Sequence, residues 1–130
     1  MKKLFGKKGF TLVEIVIVIV LLAILAAVAY PKYIDLRDDA HKSTDQAIIG
    51  SWRAGVHIFF AKNKKFPNTQ TELEGCLDGG IPSGWTVTWN SGSPPTATIT
   101  CNGLPSNSGN KATWTYNSSD GSFTLTTPHS

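Results

Sequence analysis

The sequence predicts an α+β fold in which a long N-terminal helix packs on a C-terminal antiparallel sheet of about four strands. The N-terminal half combines an apolar run with an amphipathic stripe at helical spacing. The C-terminal part alternates polar and apolar residues between turn-forming segments, as strands do. The 130 residues allow one small globular domain besides the apolar segment.

The N-terminal end of the chain has the charge pattern of an export segment. The residues up to Gly9 carry four lysines and no acid, and Phe10 then opens an apolar run that Pro31 closes. Lysines on one side of an apolar segment keep that side cytoplasmic. The run contains one carboxylate, Glu14. A carboxylate near the middle of a bilayer costs roughly 2.5–3.5 kcal/mol on insertion scales, so Glu14 indicates a partner or a function.

The helix is expected to continue beyond the apolar run. Pro31 kinks a long helix without ending it, because a bilayer or neighbouring helices absorb the lost hydrogen bond. Apolar positions then recur close to every fourth residue, at Ile48, Trp52, Val56 and Phe59. A helix over residues 10–61 would be roughly 78 Å long, more than a 14.0 kDa chain can bury. Its first half is therefore expected in a membrane or in a bundle of identical copies.

Four short strands are predicted after a connector. Gly, Pro and Asn residues between 63 and 82 predict the connector. Period-two alternation predicts strands over residues 85–89, 96–101, 112–116 and 122–126. The turn-rich links at 91–95 and 118–121 make hairpins of the first two and the last two strands. The helical stripe supplies the cover that one face of this sheet needs.

The segment from Gly9 to Glu14, Gly-Phe-Thr-Leu-Val-Glu, resembles the class III signal of type IV pilins. In that family a prepilin peptidase cuts after the glycine and methylates the new N-terminal phenylalanine. The resemblance implies processing at Gly9 and Phe10, methylation of Phe10, and filament assembly through Phe10, Glu14 and Pro31. It further implies that Glu14 of an incoming copy neutralises the N-terminal amine of Phe10 in a copy already in the filament, since a buried pair costs less than a buried lone charge.

The same resemblance implies a domain plan and a function. Residues 1–9 are a cleaved leader, 10–31 a transmembrane and filament-core helix, 32–61 its amphipathic continuation, and 62–130 the connector and sheet of a globular head. The expected protein is a structural subunit of a type IV pilus that serves adhesion, motility or DNA uptake. Its partners would be copies of itself, the prepilin peptidase, an inner-membrane assembly platform with its ATPases, and the membrane before assembly. The precursor would lie in the inner membrane with its N-terminus cytoplasmic, and the pilus on the cell surface.

The cysteines and histidines lead to two expectations about covalent and metal chemistry. Cys76 and Cys101 are the only cysteines, and in an exported domain an even pair predicts one disulfide, worth about 3 kcal/mol; a pair of buried thiols is the alternative. Their spacing is not that of a redox or zinc motif, and the three histidines, His41, His57 and His129, are scattered along the sequence. No metal site and no cofactor are therefore expected.

Charge and motif content argue against nucleic-acid binding and catalysis. The formal charge is +3, but removing the four leader lysines from the 12 basic residues leaves 8 against 9 acidic ones. A small basic patch, Lys62, Lys64 and Lys65 with Phe66, offers a weak case for DNA contact beside its simpler solubilising role. The acids that follow the apolar run are expected on a solvated helix face: Asp35, Asp38, Asp39 and Asp45. No nucleophile–base pair and no phosphate loop are recognisable, so an enzyme is not expected.

A minor pilin is possible within the same family, and three further alternatives remain open. A type II secretion pseudopilin has a similar size, and Phe66-Pro67 loosely resembles its sequence after the helix. The two cysteines and the lack of an acidic calcium-loop pattern near the C-terminus favour a pilus subunit. Ala27-Val28-Ala29 fits the rule for ordinary signal peptidase, which would release a soluble binding domain that starts at Tyr30. An uncleaved membrane-anchored protein that keeps Met1 is the third.

Overall fold

The computed structural model describes residues 9–130, which fall into two units that divide between Leu36 and Arg37. The leader lysines lie outside the described residues. Residues 9–130 form two helices and four strands: α1 Leu12–Asn63, α2 Gln70–Gly75, β1 Thr86–Asn90, β2 Thr96–Thr100, β3 Thr113–Asn117 and β4 Ser122–Thr127. The predicted α+β class, with a long helix and a four-stranded antiparallel sheet, is confirmed.

Helix α1 runs without a break through Pro31, as predicted. Its bounds differ from the predicted ones by two residues at each end. At the C-terminal end, the amide of Lys64 donates to the carbonyl oxygen of Phe60 at 2.7 Å, and Lys64 takes a positive φ of 59°. This left-handed residue turns the chain out of the helix.

The strands pair in sequence order, β1-β2-β3-β4, and every neighbouring pair is antiparallel. Both predicted hairpins are therefore present. The register aligns one row of side chains across the sheet, and these are Trp89, Ala97, Tyr116 and Phe123. The turn between β3 and β4 contains Gly121 with φ 71°, where a Cβ would also collide with the ring of Phe66. Only glycine satisfies both conditions.

The core of the second unit lies between one face of α1 and one face of the sheet. Ile49, Trp52 and Val56 are at most 3% exposed, and the inward-facing residues of β2 and β3 are buried with them. The rings of Trp52 and Phe123 lie 6.0 Å apart, so the helix contacts the sheet through aromatic side chains. The predicted covering stripe is thus confirmed at Trp52 and Val56, whereas Ile48 and Phe59 at its ends are only half-buried and the neighbouring Ile49 is buried instead.

The connector contains a short helix that the sequence interpretation did not include. Thr69 caps α2: its hydroxyl accepts from the amide of Glu72 at 3.2 Å. The carboxylate of Glu72 accepts from the amide of Asn68 at 3.0 Å and from the ammonium of Lys65 at 2.8 Å. The Lys65 ammonium, together with the Asn68 amide, lowers the pKa of Glu72. Thr69-x-x-Glu72 has the sequence of a capping box, although Glu72 accepts from the residue before the cap, and the helix that it begins brings Leu73 into the core.

Candidate functional site

The predicted processing residues lie just before the first helix. Gly9 and Phe10 precede α1, whose first residue is Leu12, and both are exposed; Phe10 is 79% exposed. Among the described residues, nothing lies within 4 Å of the position that a Cβ on Gly9 would occupy. The peptide bond between Gly9 and Phe10 therefore lies outside regular structure.

The first turn of α1 is closed by a reciprocal pair of hydrogen bonds between Thr11 and Glu14. The Glu14 amide donates to the Thr11 hydroxyl at 3.2 Å, and the Thr11 amide donates to Oε2 of Glu14 at 2.8 Å. The carbonyl oxygen of Thr11 accepts the first intrahelical bond, from Ile15, at 3.2 Å. Thr11 is thus the N-cap of α1 and Glu14 its third helical residue, which is the geometry of a capping box.

This geometry gives Glu14 a role that the sequence interpretation missed. The signal was present as Thr-x-x-Glu before an apolar run, which marks a helix start. The carboxylate also lies at the positive end of the helix dipole, which stabilises a negative charge there. Because Phe10 directly precedes the N-cap, a new amine at Phe10 would arise within the same turn region as the Glu14 carboxylate.

The part of α1 that follows Glu14 presents apolar side chains all round. In the first unit the large apolar side chains from Leu12 to Val28 are between 44% and 79% exposed. A helix that is apolar on every side must be covered by lipid or by other helices. Among the described residues, α1 is the one helix long and apolar enough to span a membrane. Pro31 lies within α1 and is itself exposed.

The predicted disulfide is not present, because Cys76 and Cys101 are both free thiols. The carbonyl oxygen of Cys76 lies against Gly55 of α1, whereas Cys101 belongs to a cluster with Asp45 of the same helix. Ten helical residues separate those two positions, or about 15 Å along the axis. A disulfide requires Cα atoms within roughly 7 Å of each other, so the fold keeps the two cysteines apart.

Cys101, Asp45 and His129 form a buried polar cluster in the head. Nε2 of His129 lies 2.9 Å from Oδ2 of Asp45 and 3.5 Å from Sγ of Cys101. The Ala112 amide donates to Sγ of Cys101 at 3.2 Å. Burial raises the pKa of the Cys101 thiol to about 11. The scattered histidines had suggested no such cluster, because its members come from distant segments that only the fold brings together.

The acidic residues after the apolar run are not all on a solvated face. Asp45 is 6% exposed and pairs with His129, so the prediction of a solvated side chain was wrong there. Asp38 accepts from both the amide and the hydroxyl of Ser106, and the Ser106 hydroxyl lowers the pKa of Asp38. Asp35 and Asp39 are exposed, as predicted. Two of the four acids therefore fasten α1 to later parts of the head.

The basic patch is partly neutralised. Lys65 pairs with Glu72 at 2.8 Å, and the ring of Phe66 stacks on Phe60 at a centroid distance of 4.5 Å. Lys62 and Lys64 are exposed. An aromatic ring stacked on its neighbour offers less face to a nucleic-acid base. DNA contact through this patch stays a prediction.

Known proteins are similar to this chain in its N-terminal segment and, in one case, over most of its length. Residues 4–30 match the family model described as the prokaryotic N-terminal methylation motif. The chain is similar to the type IV narrow pilus major component PilA5 of Thermus thermophilus, with 38% identity over 95 residues. That alignment covers 73% of this chain and 78% of the relative. No solved structure matches the chain significantly.

Two further similarities are shorter. The type II secretion system core protein G of Pseudomonas aeruginosa is 31% identical over 84 residues, which cover 65% of this chain and 59% of that protein. The type IV major pilin protein PilE1 of Neisseria gonorrhoeae is 37% identical over 65 residues, which cover 50% of this chain and 39% of that protein. The methylation motif, the exposed apolar helix on a four-stranded antiparallel head, and the extended similarity to a pilus component agree with one another. The chain belongs to the family of type IV pilins and type II secretion pseudopilins.

Proposed function

We propose that this chain is a prepilin that is cut after Gly9, N-methylated at Phe10 and polymerised through α1 into a type IV pilus. The carrying observation is the exposed apolar half of α1 with a carboxylate fixed in its first turn. Lateral packing of copies would remove this apolar surface from lipid or water. The 38% identity to a narrow-pilus major component supports a pilus subunit. Adhesion, motility and DNA uptake are the filament activities to be tested.

In this proposal residues 1–9 are removed as a leader, 10–31 form the membrane span and then the filament core, 32–61 continue the helix, and 62–130 form the head with its connector. A prepilin peptidase would process the chain, and an inner-membrane platform with its ATPases would assemble it. The precursor would sit in the inner membrane with a cytoplasmic N-terminus, and the filament on the cell surface. A structural role of this kind requires no catalysis by the chain.

In the assembled state, Glu14 would neutralise the amine of Phe10 of a neighbouring copy. A carboxylate that already accepts the Thr11 amide through Oε2 is held in one orientation. Pairing an amine with it inside an apolar bundle would fix the axial register, because any other register leaves two buried charges unpaired. Pro31 would lie at the border between the filament core and the head.

Three substitutions separate charge pairing from capping. Glu14→Gln keeps a side chain that can accept the Thr11 amide but removes the charge, Glu14→Ala removes both, and Thr11→Ala removes the reciprocal half of the cap. Under the proposal, Glu14→Gln and Glu14→Ala both abolish filaments in a sheared surface fraction seen by electron microscopy. Thr11→Ala should assemble, at a reduced yield. Membrane fractions should hold all three proteins in similar amounts. Normal filaments from Glu14→Gln would leave capping as the only function of the acid.

Mass spectrometry of the N-terminus tests the processing step. A chain that begins at Phe10 and carries one added methyl group supports the prepilin pathway. A start at Tyr30 would indicate a soluble secreted domain. A retained Met1 would indicate a plain membrane anchor.

A type II secretion pseudopilin is the second candidate, favoured by the 31% identity to a core protein G. Both candidates would share the processed N-terminus, so the filament itself distinguishes them. Long surface filaments at native expression, with normal secretion after deletion of the gene, support the pilus. A secretion defect without surface filaments supports the pseudopilin.

A further inference from the structure

Three side chains of metal-ligand type converge inside the head from three distant parts of the chain. Asp45 comes from α1, Cys101 follows β2, and His129 is the second-last residue. One ligand atom of each lies within 4.8 Å of the other two. The side chains of His129 and Asp45 are 6% and 9% exposed, and Cys101 is completely buried. An oxygen, a sulfur and a nitrogen donor thus share one dry pocket.

The hydrogen bonds of His129 place an acceptor oxygen next to each nitrogen of its ring. Nδ1 lies 2.9 Å from the carbonyl oxygen of Asn110, which can only accept, so Nδ1 carries a proton and donates it. In a neutral ring the other nitrogen, Nε2, would then point a lone pair at Oδ2 of Asp45, only 2.9 Å away. Two acceptors at that distance repel each other. A proton between Nε2 and Oδ2 resolves the conflict, and so does a cation between the three donors.

We propose that Asp45, Cys101 and His129 bind a zinc ion through Oδ2, Sγ and Nε2. Thiolate, imidazole and carboxylate are the ligands that zinc takes in proteins, and together they match a soft-to-borderline divalent ion rather than calcium or magnesium. Histidine ligands of zinc commonly donate their other ring proton to a backbone carbonyl, as His129 does to Asn110. Binding displaces the protons of the thiol and of Nε2, where present, to solvent.

Two of the three donor separations are close to those of such a site, and the third, between Sγ and Oδ2, is within 4.8 Å. With zinc–sulfur and zinc–nitrogen bonds of about 2.3 and 2.0–2.1 Å, a tetrahedral angle places the two ligand atoms about 3.5 Å apart. Nε2 and Sγ are 3.5 Å apart in the structure. Nε2 and Oδ2, at 2.9 Å, would separate by roughly 0.4 Å to reach the tetrahedral spacing. A torsional change in the His129 side chain near the chain end is enough for this.

Charge is also compatible with the ion. One thiolate, one carboxylate and a neutral imidazole balance the two positive charges of zinc, which a buried site requires. A cavity of about 120 Å³ borders His129 and is lined by Gln46, Trp114 and Leu125 among others, whereas Asp45 and Cys101 do not line it. Lys42 also lines this cavity. Its flexible side chain is half-buried and can turn its ammonium toward solvent.

A zinc ion here would tie the C-terminal tail and the end of β2 to α1. The predicted disulfide between Cys76 and Cys101 would instead have joined the connector to the end of β2. The free energy of metal binding would then add to the folding free energy of the head.

The test uses the full processed chain, purified in detergent, stripped with a chelator and then incubated with zinc sulfate. After desalting, metal content per chain is measured by plasma mass spectrometry. We expect one zinc per chain in the unsubstituted protein, and a higher melting temperature than in the stripped protein. Cobalt in place of zinc should give a thiolate-to-metal charge-transfer band, which reports Cys101 directly.

Matched variants locate the site. Cys101→Ser and His129→Ala should lose the zinc and the temperature shift, whereas Cys76→Ser and His57→Ala, which change a cysteine and a histidine outside the cluster, should keep both. Less than half an equivalent of zinc in the unsubstituted protein, or the same zinc content in Cys101→Ser and Cys76→Ser, overturns the proposal. Circular dichroism of each variant checks folding. If Cys101→Ser does not fold, the presence or absence of the cobalt band in the unsubstituted protein decides the matter.

Discussion

Trp52 donates its indole N–H to the carbonyl oxygen of Leu73 at 2.6 Å, and both side chains are completely buried. Trp52 lies at the centre of the helical stripe and Leu73 in the short helix of the connector. The bond adds a second donor to a backbone carbonyl near the end of α2, which also accepts from the amide of Cys76 at 3.2 Å. One side chain thus fills the core and fixes the connector against α1.

Trp52→Phe should therefore destabilise the head more than its loss of volume implies. The Leu73 carbonyl would lose the indole donor and keep only the Cys76 amide at 3.2 Å, and the loss of one such hydrogen bond costs about 0.5–1.5 kcal/mol. Trp89→Phe is the control, because Trp89 is only partly buried at the sheet edge. Guanidinium unfolding followed by far-ultraviolet circular dichroism measures both. Equal losses in the two variants would show that the indole bond contributes nothing measurable.

Gly55 and Gly50 offer a matched pair of substitutions in one helix. A Cβ at position 55 would overlap the backbone carbonyl of Cys76, whereas nothing lies within 4 Å of a Cβ at position 50. Gly55→Ala should lower the free energy of unfolding by roughly 1–3 kcal/mol, because a backbone atom must move. Gly50→Ala should raise it by about 0.5–1 kcal/mol through helix propensity. Thermal unfolding of both variants should show shifts of opposite sign.

Tyr116 should make the head sensitive to alkali. Its hydroxyl donates to the carbonyl oxygen of Pro67 at 2.8 Å, and burial raises the pKa of the phenol. The unfolded chain loses this proton near pH 10, while the folded chain retains it. The stabilisation is therefore complete below pH 10 and declines above it, by at most about 1.4 kcal/mol per pH unit.

Tyr116→Phe should flatten this alkaline decline. At neutral pH the same variant should be less stable by about 1–3 kcal/mol, since it leaves the Pro67 carbonyl without its donor. Denaturant titrations between pH 8 and 11 measure the free energy of unfolding of both proteins. This range brackets the ordinary phenol pKa of about 10. Parallel curves would mean that Tyr116 does not control the alkaline limb.

The two thiols should differ in reactivity. Cys76 is half-buried and Cys101 fully buried, and burial raises the pKa of both thiols. A maleimide added to the metal-free folded protein should label Cys76 first and Cys101 only after unfolding. Intact mass of the unfolded, unreduced protein should then show two labels. A chain that takes no label until it is reduced would show that the two cysteines form the predicted disulfide.

Local patterns in the sequence predicted the elements well. Alternation around Trp114 and Ile99 placed β3 and β2 within a residue of their observed bounds, and the spacing of Trp52 and Val56 identified the buried face of α1. These patterns are reliable because each depends on residues a few positions apart. The helix α2 was missed although its capping box was readable, because glycines and prolines on both sides favoured a connector.

The candidate sites also divide into features that a local sequence pattern marks and features that only the fold brings together. Glu14 stood out because a charge in an apolar run is unusual in itself, but its hydrogen bonds with Thr11 were overlooked. The disulfide prediction failed because a count of cysteines contains no information on distance. The pairing of Asp45 with His129 joins residues 84 positions apart, and no local pattern marks either of them.

The sheet is a simple meander, in which every strand pairs with the strand before it in sequence. Such pairings close only short loops, so the entropy lost in forming them is small and they form early. The contact of His129 with Asp45 closes the longest loop of the cluster and should form last. The sheet can therefore form from strands that pair locally, and the contact that joins His129 to α1 is made once the helix and the sheet have come together.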